Sequence, residues 1–237
     1  MTRPKPAAAL ALAAAALALC FASVPGGRAG RAAAQSRQAG AADVFKEAEG
    51  TPAGFPSAFK FEVNGFSYHV GANGNGRRTK GDRTRRFNLR LDGRDFIEKL
   101  SFAVYEGDLL FVCQVGDGES GGGLVMRLEQ PSMRALWKQE IPAFNVGEPL
   151  REGHSLYVTG IDFVGRLDLR TGEYIWRHDD LSGRTDAARA GTSPDDFNSF
   201  ETPELAGDTV LFRERPVYNR RRTLVVNRKT GEVIRIE

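Results

Sequence analysis

One six-residue phrase recurs along this chain, and it limits the fold more than any other feature. Gly107-Asp108-Leu109-Leu110-Phe111-Val112 returns as Gly153-His154-Ser155-Leu156-Tyr157-Val158, then as Gly207-Asp208-Thr209-Val210-Leu211-Phe212. Residues 65–70 are a weaker fourth copy, so the key glycines stand 42, 46 and 54 residues apart. Self-similarity at such a period marks an array of repeated units. A further strand precedes the glycine, as in residues 99–105, and each copy is followed by a strand, a tight turn and another strand. The clearest case is Gly165-Arg166-Leu167-Asp168-Leu169-Arg170-Thr171-Gly172-Glu173-Tyr174-Ile175-Trp176. The second copy runs over residues 124–137 and ends on Trp137; the last runs over 224–235. The first is more degenerate and is expected over residues 87–97, with its turn at Asp92-Gly93. Upstream, Asn64-Gly65 joins the alternating runs Phe59-Lys60-Phe61-Glu62-Val63 and Phe66-Ser67-Tyr68-His69-Val70. That is a hairpin signal, because both central residues of such a turn take φ > 0. The expected fold is all-β: a propeller-like array of about four antiparallel meander units over residues 58–237.

The repeat resembles that of the pyrroloquinoline quinone enzymes and their non-enzymatic relatives. Their docking motif is roughly A-x-D-x-x-x-G-x-x-x-W. Asp168, Gly172 and Trp176 hold its aspartate, glycine and tryptophan slots, and Arg166 stands where the family has alanine. The copy ending in Trp137 lacks the Asp and Gly, and the last copy has Arg235 in place of Trp. The resemblance implies a small or incomplete β-propeller, since members close with six to eight blades. The expected jobs of Asp168, Thr171, Gly172, Trp176, Trp137 and the repeat glycines Gly107, Gly153 and Gly207 are structural. Glycine supplies the positive φ of a turn and Trp packs between blades. Pyrroloquinoline quinone enters through the resemblance only, and no residue here is assigned as a ligand to it. An incomplete array leaves sheet edges that proteins normally cover or pair. That points to self-association or another protein as partner.

The first 34 residues read as a secretory leader. Arg3 and Lys5 precede an apolar run over residues 7–24, then Pro25-Gly26-Gly27 and a small-residue cleavage site at Ala32-Ala33-Ala34. The expected location is periplasmic or secreted, with a membrane tether only if the leader is retained or lipidated. Cys20 follows Leu19, not the small residue that lipidation needs. Residues 35–57 are expected to be a flexible spacer with a short helix around residues 43–49, and the array to begin near the mature terminus. Of 33 Lys and Arg, Arg3, Lys5, Arg28 and Arg31 lie in the leader, which leaves 29 against 30 Asp and Glu. The remainder is near neutral, about −1. Generic nucleic-acid binding therefore loses its support. Cys113, in Leu110-Phe111-Val112-Cys113-Gln114-Val115, reads as a buried small hydrophobe.

Motifs of chemistry are sparse. Gly116-Asp117-Gly118-Glu119-Ser120-Gly121 matches G-x-G-x-x-G but leads into Leu124-Val125-Met126, a strand. A dinucleotide site needs a helix there, so this is a hairpin loop, as is Gly71-Ala72-Asn73-Gly74-Asn75-Gly76. His69, His154 and His178 lack metal spacing, and no metal site is expected. Asp179-Asp180 and Asp195-Asp196 read as surface acids, and residues 181–201 form the longest insertion, where function often sits. Arg77, Arg78, Lys80, Arg83, Arg85, Arg86, Arg90 and Arg94 fall within eighteen residues. They are either a solvated loop or an anion-binding face. Arg220-Arg221-Arg222 is placed in the matching turn of the last copy. The expected function is a non-enzymatic binding or assembly scaffold, by analogy with the family's outer-membrane assembly lipoproteins. A quinoprotein-type enzyme or a small-ligand or glycan sensor is the alternative.

Overall fold

The computed structural model describes residues 45–50, 58–91, 96–116, 121–130, 132–184, 197–216 and 221–237. The leader, Cys20, most of the spacer, Asp92 to Asp95 and the pair Asp195-Asp196 lie outside these residues. Among the described residues no helix is long and apolar enough to cross a membrane.

Period-2 alternation produces short strands with one buried face. In chain order they are β1 (Lys46–Glu47), β2 (Glu49–Gly50), β3 (Ala58–Val63), β4 (Phe66–Gly71), β5 (Asn75–Lys80), β6 (Arg83–Asn88), β7 (Phe96–Tyr105), β8 (Asp108–Gly116) and β9 (Gly121–Leu128). Then follow β10 (Ala135–Ile141), β11 (Leu150–Glu152), β12 (Ser155–Gly160), β13 (Phe163–Asp168), β14 (Tyr174–His178), β15 (Glu204–Ala206), β16 (Thr209–Arg213), β17 (Thr223–Asn227) and β18 (Val233–Ile236). They form four antiparallel sheets, here called blades. Blade 1 is β3 to β6, blade 2 is β7 to β10, blade 3 is β11 to β14 and blade 4 is β15 to β18. In each blade the order in space follows the order in sequence, so every connection inside a blade is a hairpin. This is the expected array of four meander units.

Among the described residues, three apolar clusters join the blades in series. The first mixes Phe59, Phe61, Tyr68 and Val70 of blade 1 with Leu100, Phe102, Phe111 and Met126 of blade 2. Phe61 stacks on Phe102 with ring centroids 4.2 Å apart and meets Phe111 edge-on. The second joins Leu110, Val112 and Val125 to Leu156, Val158 and Leu167 of blade 3. The third joins Tyr157, Val164 and Trp176 to Val210, Phe212, Leu224 and Val226 of blade 4. Alternate residues of each strand face opposite ways, so blades 2 and 3 feed two clusters each. None of the three clusters joins blade 4 back to blade 1. Cys113 is fully buried in the first cluster, and burial pushes its thiol pKa up, as for an inert core residue.

Asn64 and Gly65 both have φ > 0 (53° and 73°), as the hairpin signal requires. The repeat glycines Gly107, Gly153 and Gly207 occupy the turns between first and second strands, also with positive φ. The structure corrects the sequence reading at four places. Residues 43–49 do not supply a described helix: β1 pairs with β7 and β2 with β3, so this stretch laces blade 2 to blade 1. The third and fourth strands of blade 1 are β5 and β6, not residues 87–97; Phe87 lies in the fourth strand, which ends at Asn88, and Phe96-Ile97 opens blade 2. Two expected loops are therefore strand: β5 begins inside the glycine-rich stretch at Asn75, and the basic cluster is a β-hairpin. Finally, Arg221 and Arg222 precede β17, between second and third strands, so they do not match that hairpin in position.

Candidate functional site

The docking motif shapes the turn between the third and fourth strands. In blade 3, Asp168 Oδ1 accepts the Arg170 N–H at 2.9 Å, the Asp168 carbonyl accepts Gly172 N–H at 2.7 Å, and Thr171 Oγ1 accepts Glu173 N–H at 3.2 Å. Blade 4 repeats this with Asn227, Thr230 and Gly231: Asn227 Oδ1 accepts two N–H groups at 3.0 Å and its carbonyl accepts Gly231 N–H at 2.8 Å. Asx and Thr side chains thus satisfy the turn's own donors. Arg170, hydrogen-bonded to Asp168, holds that carboxyl at about 2 despite partial burial.

These turns receive the tryptophan of the preceding blade. Trp137, on β10, lies over Gly172, where a Cβ would sit 2.5 Å from its Cδ2, and its indole N–H donates to the Leu169 carbonyl at 3.2 Å. Trp176, on β14, does the same at Gly231, with 2.6 Å to a Cβ there and an N–H bond to the Arg228 carbonyl at 3.0 Å. Gly172 and Gly231 therefore satisfy two demands at once: φ near +80° and room for an indole. Trp176 is further enclosed by Tyr157 and Phe212.

A second residue makes each junction, and the sequence did not disclose it. Arg127 and Arg166 stand across from Trp137 and Trp176. Arg127 donates to the same Leu169 carbonyl at 3.3 Å, and Arg166 to the same Arg228 carbonyl at 2.6 Å. In blade 1 the matching pair is Arg78 and Arg85. Arg78 donates to the Gln130 carbonyl, the equivalent acceptor in the turn of blade 2. Arg166, which stands where the family has alanine, thus caps the next blade's turn. Each tryptophan also follows a β-bulge, at Leu136 and Ile175. Blade 4 keeps the bulge at Ile234 with Arg235 in the tryptophan slot. Blade 1 has no bulge, and Met133, with φ 59°, stands at the glycine position that would receive its tryptophan.

The basic cluster becomes a ladder. Across β5 and β6, Arg77 opposes Arg86, Arg78 opposes Arg85 and Lys80 opposes Arg83, with Thr79 and Thr84 between. Like charges directly opposite are destabilising, by roughly 0.2–1 kcal/mol for a pair. Arg78 and Lys80 lie over the Phe66 ring at 4.8 and 4.6 Å, which offsets part of that cost. Arg90 follows β6 and Arg94 lies outside the described residues. The other residues singled out are dispersed. Arg222 pairs with Glu214, Arg221 with Glu201. Burial works to raise the Glu214 pKa, but the Arg222 guanidinium and two backbone N–H groups outweigh it and hold the carboxyl low. Glu214 thereby fixes residues 197–200 of the long insertion against blade 4, with Phe197 and Phe200 buried. Asp180 caps Gly183 N–H at 2.9 Å. His154 Nδ1 lies 2.5 Å from Tyr105 Oη, His178 Nε2 donates to the Gly231 carbonyl, and His69 stands across from Arg77. Among the described residues no group of three or more His, Cys, Asp or Glu could hold a metal.

Antiparallel four-stranded blades, with two of their junctions locked by a tryptophan on a Thr-Gly turn, define a protein of the pyrroloquinoline quinone-like repeat class. The chain belongs to the family described as outer membrane protein assembly factor BamB, whose profile matches residues 81–236. Two solved structures are similar to this chain. BamB from Moraxella catarrhalis is 13% identical with a TM-score of 0.46, over 82% of this chain and 52% of that one. The quinohemoprotein alcohol dehydrogenase ADHIIG from Pseudomonas putida HK5 is 12% identical with a TM-score of 0.46, over 76% of this chain and 33% of that one. The chain thus spans about half of the first and a third of the second. No curated protein matches.

Proposed function

We propose that this chain is an exported, non-enzymatic scaffold that binds another protein in the periplasm or beyond it. The observation that carries this reading is the use made of the motif. Asp168, Thr171, Gly172, Trp137 and Trp176 are spent on turns and blade junctions, so they build a rigid array that presents strand edges. Membership in a family described as an assembly factor supports the same reading. The leader supplies the route out of the cytoplasm. The test is fractionation of cells producing the full chain, followed by crosslinking and affinity capture from the extracytoplasmic fraction. The reading expects a shorter, extracytoplasmic chain in stoichiometric complex with a defined protein. A cytoplasmic chain, or an exported one that stays monomeric and uncrosslinked, overturns it.

The second reading is a quinoprotein-type enzyme. The motif residues are engaged in blade packing. Trp176 is packed on Gly231 between Tyr157 and Phe212, and the Trp137 ring lies on Gly172. Addition of pyrroloquinoline quinone with calcium is expected to leave the melting temperature unchanged, and a clear upward shift favours the enzyme.

A further inference from the structure

We propose that the β5–β6 hairpin of blade 1 is a docking edge for an acidic segment of a partner protein, which adds to β6 as an extended strand. This rests on the scaffold reading and names the surface and chemistry of its partner.

The first observation is the edge itself. β6 is the last strand of its sheet, in the order β2-β3-β4-β5-β6. It pairs with β5 without interruption over six residues, from Asn75↔Asn88 to Lys80↔Arg83. The outer strands of the other blades are broken by bulges at Leu136, Ile175 and Ile234. A bulge twists an edge away from new partners. Blade 1 therefore has the one regular outer edge among the described blades.

The second observation is the charge on that edge. Arg78, Lys80, Arg83 and Arg85 lie on the face toward blade 2; Arg77 and Arg86 lie on the opposite face. Asp82, in the turn, is the sole acid of residues 75–88. An added strand sends alternate side chains to opposite faces. Acids at successive positions of such a strand would meet cations on both faces of β6. A lipid surface is a plane and engages one face of a ribbon, so the two-sided arrangement favours a strand. The same charges reject a second copy of this chain, because pairing β6 with β6 sets Arg against Arg. Attraction for an acidic strand and repulsion of self are the two halves of specificity.

The test is fluorescence anisotropy of a labelled eight-residue peptide, four glutamates interspersed with valine and threonine, titrated with the full chain. A peptide of equal charge, N-methylated at alternate residues, cannot form the ladder. Binding is expected, with a loss of about tenfold or more for the N-methylated peptide, because main-chain hydrogen bonds carry the affinity of strand addition. The double variant Arg83→Glu, Arg86→Glu should lose binding similarly while melting no lower than the parent, since each new acid faces Lys80 or Arg77. Arg235→Glu, on the outer strand of blade 4, should bind as the parent does. Equal binding of the two peptides overturns strand addition, as does preference for phosphatidylglycerol vesicles that displace the peptide. Absence of peptide binding overturns it too, and the scaffold reading then still stands or falls on the crosslinked complex.

Discussion

In blade 3 the cross-strand pair Arg166 and Trp176 points at the next blade, and both side chains end on its turn. In blade 1 the equivalent pair is Arg78 and Arg85. Arg78 keeps the inward job by capping the Gln130 carbonyl. The tryptophan slot, however, holds Arg85 on the last described strand of its sheet. The difference shows which features of the motif travel together. Where the slot holds Trp, the receiving turn has glycine, as at Trp137 with Gly172 and Trp176 with Gly231. Where it holds Arg85, the receiving position is Met133, buried in the blade 1 to blade 2 cluster. Tryptophan and glycine are one device split across two blades, and without the ring no glycine is needed. The slot is then released for charge, and under the docking proposal blade 1 turns toward a partner what blade 3 turns toward its neighbour.

The largest effect should come from removing the device where it is most buried. Trp176→Ala is expected to cost about 3–5 kcal/mol, as for a truncated core aromatic. Trp137→Ala should cost less, because that ring is only half-buried. Chemical denaturation measures both, and equal costs would break the contrast between the junctions. Next comes the buried pair that holds the long insertion against blade 4: Glu214→Gln removes the carboxylate charge facing Arg222 and should cost about 3 kcal/mol. The folded Glu214 carboxyl titrates below its unfolded value, so its contribution is full above the ordinary carboxylate range. It should fade as pH falls through the folded pKa. Acid melting curves of the parent should show this loss, and those of Glu214→Gln should lack it.

Smaller effects separate backbone strain from docking. Gly172→Ala meets both a positive φ and the Trp137 ring, and should cost about 2–3 kcal/mol. Gly107 has φ 85° with nothing within 4 Å of a Cβ, so Gly107→Ala should cost only about 1 kcal/mol. If the two costs match, indole accommodation contributes nothing. The smallest change is a gain. Arg86→Glu, facing Arg77, replaces a like pair by an opposite one and should stabilise by about 0.5–1 kcal/mol, read as a rise in melting temperature. No rise would mean that the ladder is already neutralised within the chain.

Much of this protein was legible in the chain itself. The repeated glycine phrase, the Asn64-Gly65 turn and the Asp168 to Trp176 motif determined antiparallel meander units, their turns and two of the blade junctions. They did so because turn chemistry and period-2 alternation are local: a positive φ or a hidden face is decided by neighbours a few residues away. Tertiary structure decided the rest. β5 and β6 carry Arg, Thr and Lys where an apolar alternation would announce strands, so only pairing in the sheet reveals them. β1 and β2 are two residues each and exist by pairing with β7 and β3. Arg78, Arg127 and Arg166 reach carbonyls 52, 42 and 62 residues away. Separations of that kind leave no periodic trace in a sequence. The basic cluster was visible as charge, but its meaning as an unbulged edge with cations on both faces came from register, and register is set by the sheet as a whole.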